Sequence, residues 1–161
     1  MPHFSVLTIL VGVPGAGKTT WAKKYLQDHP TTFYISTDDI RKELTGDEQC
    51  DPADIGWIHE EAKQRVKKII QNPKYYEGNY GMGPEIIVDA TNTLFMEWLD
   101  YGKLGASVMI ARVFDIDPED AIKRQQFRER RVPPDIIYNK HEELIKSKEF
   151  LPHIFNMVIN M

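Results

Sequence analysis

Gly12-Val-Pro-Gly-Ala-Gly-Lys-Thr19 stands between a nearly continuous apolar run, Phe4 to Val11, and a segment with helical periodicity from about Lys18 to Asp28. The stretch matches G-x-x-x-x-G-K-[ST] at every position. Its glycines let successive backbone N–H groups turn inward around an anion, and the helix that follows adds the positive end of its dipole. We therefore expect a loop that binds the phosphates of a nucleotide.

The positions of this loop predict a nucleoside triphosphate site with a metal ion. Lys18 is expected to reach the β- and γ-phosphates, and the hydroxyl of Thr19 is expected to ligate Mg²⁺. The expected donor is ATP. The predicted nucleotide-binding residues of the loop are Gly12, Pro14, Gly15, Ala16, Gly17, Lys18, Thr19 and Thr20.

Strand and helix patterns alternate along the chain. Strands are predicted at 4–11, 32–36, 85–88 and 107–114, with a short last one within 154–159. Helices are predicted at 18–28, from about 39, and at 52–71, 94–103, from 118, and from 134 to about 150. This alternation predicts an α/β, P-loop NTPase fold: a parallel sheet of about four to five strands with helices on both faces. A length of 161 residues fits a single kinase-sized domain, 1–161.

Composition narrows the classes of function. The net charge of −4 gives no overall attraction to nucleic acid or to an anionic membrane, so any polyanion site must be local. The chain has no apolar run long enough to cross a bilayer, so no membrane association is expected. Its single cysteine, Cys50, cannot form an internal disulfide, which favours a cytoplasmic location.

Ser36-Thr-Asp-Asp-Ile-Arg41 follows the second predicted strand. Thr and Asp are favoured at helix starts, so one interpretation is helix capping, with Asp39 as a candidate cap. Capping leaves Arg41 unexplained. Asp38 and Arg41 are three residues apart and share one helix face, where a carboxylate can accept a hydroxyl proton and an arginine can hold a phosphate of an acceptor.

The chain also resembles a known family, the phage-type 5′-hydroxyl polynucleotide kinase domain. The resemblance covers nearly the whole chain, through the phosphate loop, Asp38-Asp-x-Arg41, Asp89-x-Thr91-Asn92, Val113-Phe-Asp115, Lys123-Arg-x-x-x-Arg128 and Val132-Pro-x-x-Ile-Ile137. It implies that Asp38 is the general base toward the 5′-hydroxyl and that Arg128 contacts the transferring phosphate. It implies that Arg41, Asp89, Thr91 and Asn92 hold the acceptor, a single-stranded or end-exposed nucleic acid with a 5′-OH.

Residues 123–131 carry five basic side chains and one acidic side chain. The i, i+4 spacing of Arg124 and Arg128 aims both the same way, as in a lid that closes on ATP. Arg130 and Arg131 are expected on a solvated face. Asp89 follows three apolar residues; it either supports Mg²⁺ through water or is a turn residue.

The segment 72–84 contains three glycines and two prolines, which predict a loop. Its tyrosines, Tyr75, Tyr76 and Tyr80, either anchor the loop by packing or stack on nucleobases.

Three functions remain open at this point. A GTPase switch is excluded because no glycine has an aspartate three positions before it. The leading prediction is an ATP- and Mg²⁺-dependent polynucleotide 5′-hydroxyl kinase with Lys18, Asp38 and Arg128 as catalytic residues. The alternatives are a kinase of a nucleoside, modified base or other small hydroxyl compound, and a non-catalytic nucleotide-binding module.

Overall fold

A computed structural model describes residues 4–46, 55–77 and 82–161, and these residues build one five-stranded sheet. The strands are β1 (Phe4–Val11), β2 (Phe33–Ser36), β3 (Met82–Asp89), β4 (Val108–Val113) and β5 (Met157–Asn160). Their order is β2-β3-β1-β4-β5, and every neighbouring pair is parallel. The predicted α/β fold is confirmed.

The helices connect these strands. They are α1 (Lys18–Asp28), α2 (Thr37–Thr45), α3 (Ile55–Gln71), α4 (Phe95–Gly102), α5 (Pro118–Gln125), α6 (Pro134–Ser147) and the short α7 (Leu151–Ile154), with 3₁₀ turns at Pro73–Tyr76 and Lys148–Phe150. The predicted start of α3 near Pro52 lies outside the described residues. None of the helices in the described ranges has the length and apolar run needed to cross a bilayer.

The central strand β1 is buried on both faces, as its continuous apolar run predicts. Leu7, Ile9 and Val11 pack on one face, in a core that includes Ile58 of α3 and Trp98 of α4. The opposite face has a second core, built from Leu10 of β1 with Ala22 of α1, Ala121 of α5 and Ile137 of α6. Helices therefore cover both sides of the sheet.

Strand β3 begins three residues earlier than the sequence suggested. The prediction of a loop through Pro84 is wrong at its end, because β3 starts at Met82, which pairs with Phe4 of β1. The partner on the other side, β2, joins only at Ile86. Proline has no backbone N–H to donate, so it is tolerated in a strand where one side has no neighbouring strand. Pro84 lies in such a place.

Two tyrosines of the 72–84 segment are packing anchors. Tyr75 stacks edge-to-face on Phe33 with ring centroids 4.7 Å apart, and the hydroxyl of Tyr76 donates to the carbonyl of Ile70 at 2.7 Å. A Cβ on Gly83 would lie 2.3 Å from the Tyr76 ring, so glycine is required for this close approach. The third tyrosine, Tyr80, lies outside the described residues.

The register brings polar strand ends together. Asp89 at the end of β3 pairs with Leu10 of β1 on one side and with Ser36 of β2 on the other. Parallel strands place their carboxyl ends along one edge, where ligands of α/β folds bind. The loop after β1, the start of α2 and the turn after β3 consequently meet at this edge.

Candidate active site

A cleft of about 730 Å³ opens at the carboxyl ends of the strands. It is lined by the phosphate loop and the starts of α1 and α2, by the turn after β3, and by the segment between α5 and α6. Eight basic and four acidic side chains line it, a local net charge of +4: Lys18, Lys23, Arg41, Arg124, Arg128, Arg130, Arg131 and Lys140, with Asp38, Asp39, Asp89 and Glu129. The cleft is thus a positively charged surface in an acidic chain.

The loop between β1 and α1 has the backbone that its glycines predict. Gly15 and Gly17 have φ values of 88° and 100°, in the left-handed region that side chains disfavour. A Cβ on Gly15 would also lie 2.8 Å from Nε2 of Gln125 and 2.9 Å from the carbonyl oxygen of Ala121. Position 15 therefore needs glycine both for its backbone angle and for contact with α5.

Lys18, the first residue of α1, is buried and points into this loop. Its Nζ donates to the carbonyl oxygens of Gly12 and Val13 at 2.7 and 2.8 Å. Burial lowers the pKa of Lys18 to about 8; the nearby charge of Asp89 opposes this shift, and that of Arg128 adds to it. The ammonium is therefore held against the backbone of the loop.

Thr19 and Asp89 place a hydroxyl oxygen and a carboxylate oxygen next to each other beside the loop. The Thr19 hydroxyl donates to Oδ2 of Asp89 at 2.6 Å, and Tyr34 donates to the same oxygen at 2.5 Å. Asp89 is buried; burial of the Tyr34 hydroxyl, together with the nearby Asp89 carboxylate, raises the pKa of Tyr34. A hydroxyl and a carboxylate are ligands that suit Mg²⁺, which usually binds one or two protein groups together with phosphates and water.

The start of α2 places a carboxylate in the cleft. Ser36 is the N-cap of α2, with its side chain accepting from the N–H of Asp39 at 3.3 Å. The expectations that α2 begins near Asp39 and that Asp39 is its cap are therefore wrong. Capping by Ser36 leaves Asp38 in the first turn, where its side chain is about one-third exposed and faces the cleft.

Three arginines surround Asp38. Arg41 lies 2.6 Å and Arg130 3.0 Å from Oδ1, while Arg128 lies 3.6 Å from Oδ2. Arg41 comes from the same helix, whereas the other two come from the segment after α5. Asp38 therefore holds together two elements that are about ninety residues apart in the chain.

The two arginines predicted as a lid both line the cleft. Arg124 donates to the carbonyl of Gly15 at 3.0 Å, and Arg128 faces the cleft at Asp38. Buried Gln125 accepts from the N–H of Val132 at 3.1 Å, which closes the segment between them into a turn. Arg124 thus contacts the loop, whereas Arg128 lies on the side of Asp38.

Arg130 contradicts its sequence interpretation. We expected it on a solvated face with Arg131, but it points inward and donates to Oδ1 of Asp38. Arg131 is exposed, and it donates to the carbonyl of Gln126 at 3.3 Å. Both arginines line the cleft, but Arg130 is held against Asp38 while Arg131 is exposed, and the charge run alone does not predict which of the two is held.

In the turn after β3, one predicted site residue faces the cleft and the next is buried in the core. Thr91 lines the cleft, and its carbonyl accepts from the N–H of Gly12 at 3.0 Å. Asn92 is completely buried. Its Nδ2 donates to the backbone carbonyl of Leu10 at 3.0 Å, and its backbone carbonyl accepts from the indole N–H of Trp98. Its φ of 48° is one that asparagine tolerates. Direct contact of Asn92 with an acceptor does not fit this placement.

Most of the predicted site residues meet in this single cleft. Those that line it are Pro14, Gly15, Gly17, Lys18, Thr19, Thr20, Asp38, Arg41, Asp89, Thr91, Arg124 and Arg128. Gly12 and Ala16 belong to the loop but not to the lining, and Asn92 lies behind it.

Several cleft residues had no role in the sequence analysis, among them Tyr34, His59 and Lys140. Tyr34 lies on the same side of β2 as Ser36, so the two-residue period of a strand was the available signal. His59 of α3 and Lys140 of α6 also line the cleft, but no motif marks them. Only the packing of these helices against the strand ends brings them there.

Comparison with known proteins gives a family match over most of the chain. The model of the AAA domain family matches residues 7–149, a range that includes the phosphate loop, Asp38 and the lid arginines. Human NEDD4-binding protein 2 is 32% identical over 96 residues, which are 60% of this chain and 5% of that protein. The chain thus spans only a small part of this relative.

Solved structures with the same fold include a chain of an RNA repair complex and a gluconokinase. A chain of the Pnkp1/Rnl/Hen1 RNA repair complex has a TM-score of 0.71 and 24% identity, over 92% of this chain and 47% of that chain. A gluconokinase from Sinorhizobium meliloti 1021 has a TM-score of 0.61 and 11% identity, over 99% and 83%. At these identities the likeness establishes the fold alone.

Proposed function

This chain belongs to the AAA domain family and has a P-loop kinase fold, and we propose that it is an ATP-dependent polynucleotide kinase. The reaction transfers the γ-phosphate of ATP to the 5′-hydroxyl of DNA or RNA. The phosphate loop alone is shared by switches and motors as well as kinases. The proposal therefore depends on the other side of the cleft.

One observation carries the proposal: Asp38 lies in the same cleft as Lys18 and is surrounded by three arginines. A nucleotide switch has no use for a carboxylate facing the donor site, whereas a kinase needs a base for its hydroxyl acceptor. The arginines supply the positive charge that phosphoryl transfer requires at its oxygens. A donor site and an acceptor site are thus side by side.

Each residue has a role that follows from its position. Lys18 exchanges the carbonyl oxygens of Gly12 and Val13 for charged phosphate oxygens, which are stronger acceptors. Asp38 accepts the hydroxyl proton as the bond from the acceptor oxygen to phosphorus forms and the bond to ADP breaks. Arg128 offsets the charge that spreads over the phosphoryl oxygens.

Thr19 and Asp89 fit a magnesium ion, with the threonine hydroxyl as ligand and the carboxylate in direct or water-mediated support. When bound, the ion neutralises charge on the β- and γ-phosphate oxygens. Within the described ranges no group of three or more His, Cys, Asp or Glu side chains could hold a metal by itself.

Nucleic acid as acceptor is supported by charge and by a structural neighbour. The side chains that line the cleft have a net charge of +4, and Arg41, which lines it beside Asp38, is the residue proposed to contact a phosphate of the acceptor. The neighbour with a TM-score of 0.71 is a chain of an RNA repair complex. Both features favour an acceptor that carries phosphates of its own.

A small hydroxyl compound is the alternative acceptor. The specific observation in its favour is that the gluconokinase fold covers 99% of this chain. A kinase of that kind uses the same donor site, so the alternatives differ only in what fills the cleft beside Asp38.

The test is a transfer assay with labelled ATP, Mg²⁺ and a panel of acceptors. The panel contains 5′-OH oligonucleotides of DNA and RNA, the same oligonucleotides with a 5′-phosphate, free nucleosides and sugars. We expect label on the 5′-OH oligonucleotides, none on their blocked counterparts, and little on nucleosides. Label on sugars or nucleosides alone would favour the small-molecule kinase, and ATP binding without transfer to any acceptor would favour a nucleotide-binding module.

A further inference from the structure

Tyr34 joins the strand that leads to Asp38 to the pair of Thr19 and Asp89. Its hydroxyl donates to Oδ2 of Asp89 at 2.5 Å, and the hydroxyl of Thr19 donates to the same oxygen at 2.6 Å. The three residues come from three elements, because Tyr34 is in β2, Asp89 ends β3 and Thr19 lies in the first turn of α1. One carboxylate oxygen therefore ties two strands of the sheet to the helix that follows the phosphate loop.

The sheet register brings the tyrosine to this carboxylate. Tyr34 pairs with Ile87 of β3, and Asp89 lies two residues further along the same strand, so all three side chains are on one face of the sheet. The ring of Tyr34 is half-buried and packs against the core that contains Ile87. Because the phenol oxygen lies on the axis of the ring, packing of the ring also fixes the position of the donor.

The two hydrogen bonds decide which part of Asp89 remains available. Asp89 is only 5% exposed, and a buried carboxylate is tolerated where donors hold it. Both hydroxyls contact Oδ2, so Oδ1 keeps its capacity to accept from a further group. The hydroxyl of Thr19 is itself the expected ligand of the ion, whereas the bond from Tyr34 holds the carboxylate independently of any metal.

We propose that Tyr34 is a positioning residue of the magnesium site: its hydroxyl holds Asp89 by Oδ2, so that Oδ1 supports the ion or its water. The inference rests on the nucleotide site of the proposed function and adds a residue that none of its motifs contains. Tyr34 acts through Asp89 alone. Loss of its hydroxyl should therefore weaken binding of the metal without removing a contact with the nucleotide.

The experiment measures how Mg²⁺ strengthens nucleotide binding, without turnover. The full chain is titrated in a calorimeter with a non-hydrolysable ATP analogue, first in excess EDTA and then over a range of Mg²⁺ concentrations. Tyr34→Phe keeps the ring and removes only the hydroxyl, so its affinity for the analogue in EDTA should match that of the wild type. The Mg²⁺ concentration that gives half of the strengthening should rise about 10–100-fold, as for other groups that orient metal ligands.

The chain contains a matched control, a second tyrosine–carboxylate pair on the same strand. The hydroxyl of Tyr25 donates to Oε1 of Glu85, four residues before Asp89, and neither Tyr25 nor Glu85 lines the cleft. Tyr25→Phe therefore removes an equivalent hydrogen bond and should need the same Mg²⁺ concentration as the wild type. A double-mutant cycle tests the route: Asp89→Asn should itself raise the Mg²⁺ requirement, and Tyr34→Phe should add nothing in that background.

The outcomes separate this inference from the proposed function. The inference is refuted if Tyr34→Phe and Tyr25→Phe need the same Mg²⁺ concentration, or if Tyr34→Phe weakens binding as much in EDTA as in Mg²⁺. It is also refuted if the effect of Tyr34→Phe persists in full in the Asp89→Asn background. If no acceptor is labelled in the transfer assay, the proposed function fails, but the Mg²⁺ requirement of the two tyrosine variants is still measured and decides the role of Tyr34.

Discussion

Replacing Asp38 by Asn tests the acceptor chemistry most directly. Asparagine keeps the shape of the side chain and one oxygen acceptor, but it cannot take the proton of a hydroxyl. Loss of a general base costs about 10²–10⁴ in rate, or roughly 3–5 kcal/mol in the barrier. We expect kcat to fall by that factor.

The ion pairs of Asp38 set the accompanying change in stability. The carboxylate contacts Arg41, Arg128 and Arg130 at 2.6–3.6 Å, but it is about one-third exposed, so each pair is screened. Partly exposed pairs contribute about 0.2–1 kcal/mol each. The variant should therefore unfold about 1–2 kcal/mol more easily, which for a chain of this size lowers Tm by roughly 2–8 °C.

Binding of ATP should change little, or become tighter. Asp38 competes with nucleotide phosphates for Arg128 and Arg130, and the variant removes this competitor. The assay is kcat from labelled transfer, ATP affinity from calorimetry and Tm, each at a temperature where both proteins are folded. Asp39→Asn is the matched control, because Asp39 is the neighbouring carboxylate and should leave kcat near that of the wild type.

A double-mutant cycle separates a base from a mere anchor for Arg128. If Asp38 only positions Arg128, then Asp38→Asn should have no further effect in an Arg128→Ala background. If Asp38 accepts the proton, most of its rate effect should persist there. Disappearance of the effect, or an Asp39→Asn variant that loses more activity than Asp38→Asn, would refute the assignment of Asp38 as base.

Four further outcomes are expected. Lys18→Ala should abolish transfer and weaken ATP binding in calorimetry; wild-type turnover would remove the phosphate-loop assignment. Arg128→Ala should lower kcat by on the order of 10³, and Arg130→Ala should lower it by roughly 10–100-fold. Arg131 is exposed, so Arg131→Ala should match the wild type. Equal effects of all three variants would contradict the contacts of Arg128 and Arg130 with Asp38. Burial lowers the pKa of Lys18 to about 8 in the free protein, so its charge is complete at lower pH and is lost as pH rises through 8. We therefore expect kcat/KM for ATP to fall as pH rises through about 8, both in the wild type and in the control variant Lys23→Met. A profile that stays flat to about pH 10 would contradict this. Raising salt from 50 to 200 mM should weaken use of oligonucleotides but not of nucleosides, and equal sensitivity would favour the small-molecule acceptor.

The phosphate-loop half of the site was predictable because its determinants are local. An apolar run, a glycine turn and an amphipathic helix follow one another, and α1 lies at Lys18–Asp28 as the sequence predicts. The loop conformation follows from residue type, since Gly15 and Gly17 adopt angles that other residues avoid. No long-range packing is needed to infer it.

The acceptor half depends on contacts between distant segments. Arg130 meets Asp38 across 92 positions, and its turn is closed by the bond between Gln125 and Val132, which no periodicity reveals. Asn92 shows the opposite error. It stands in a polar cluster at a strand end, yet its side chain is buried and its Nδ2 donates to the carbonyl of Leu10 in β1.

The acidity of the whole chain does not weigh against a nucleic acid acceptor. The chain has a net charge of −4, while the side chains that line the cleft sum to +4, so the remainder carries −8. At physiological ionic strength, exposed charges act over only about 8 Å, so an acceptor end inside the cleft experiences mainly the lining. The negative remainder repels the rest of a long strand, which is consistent with an enzyme that binds ends and not the continuous length of a polynucleotide.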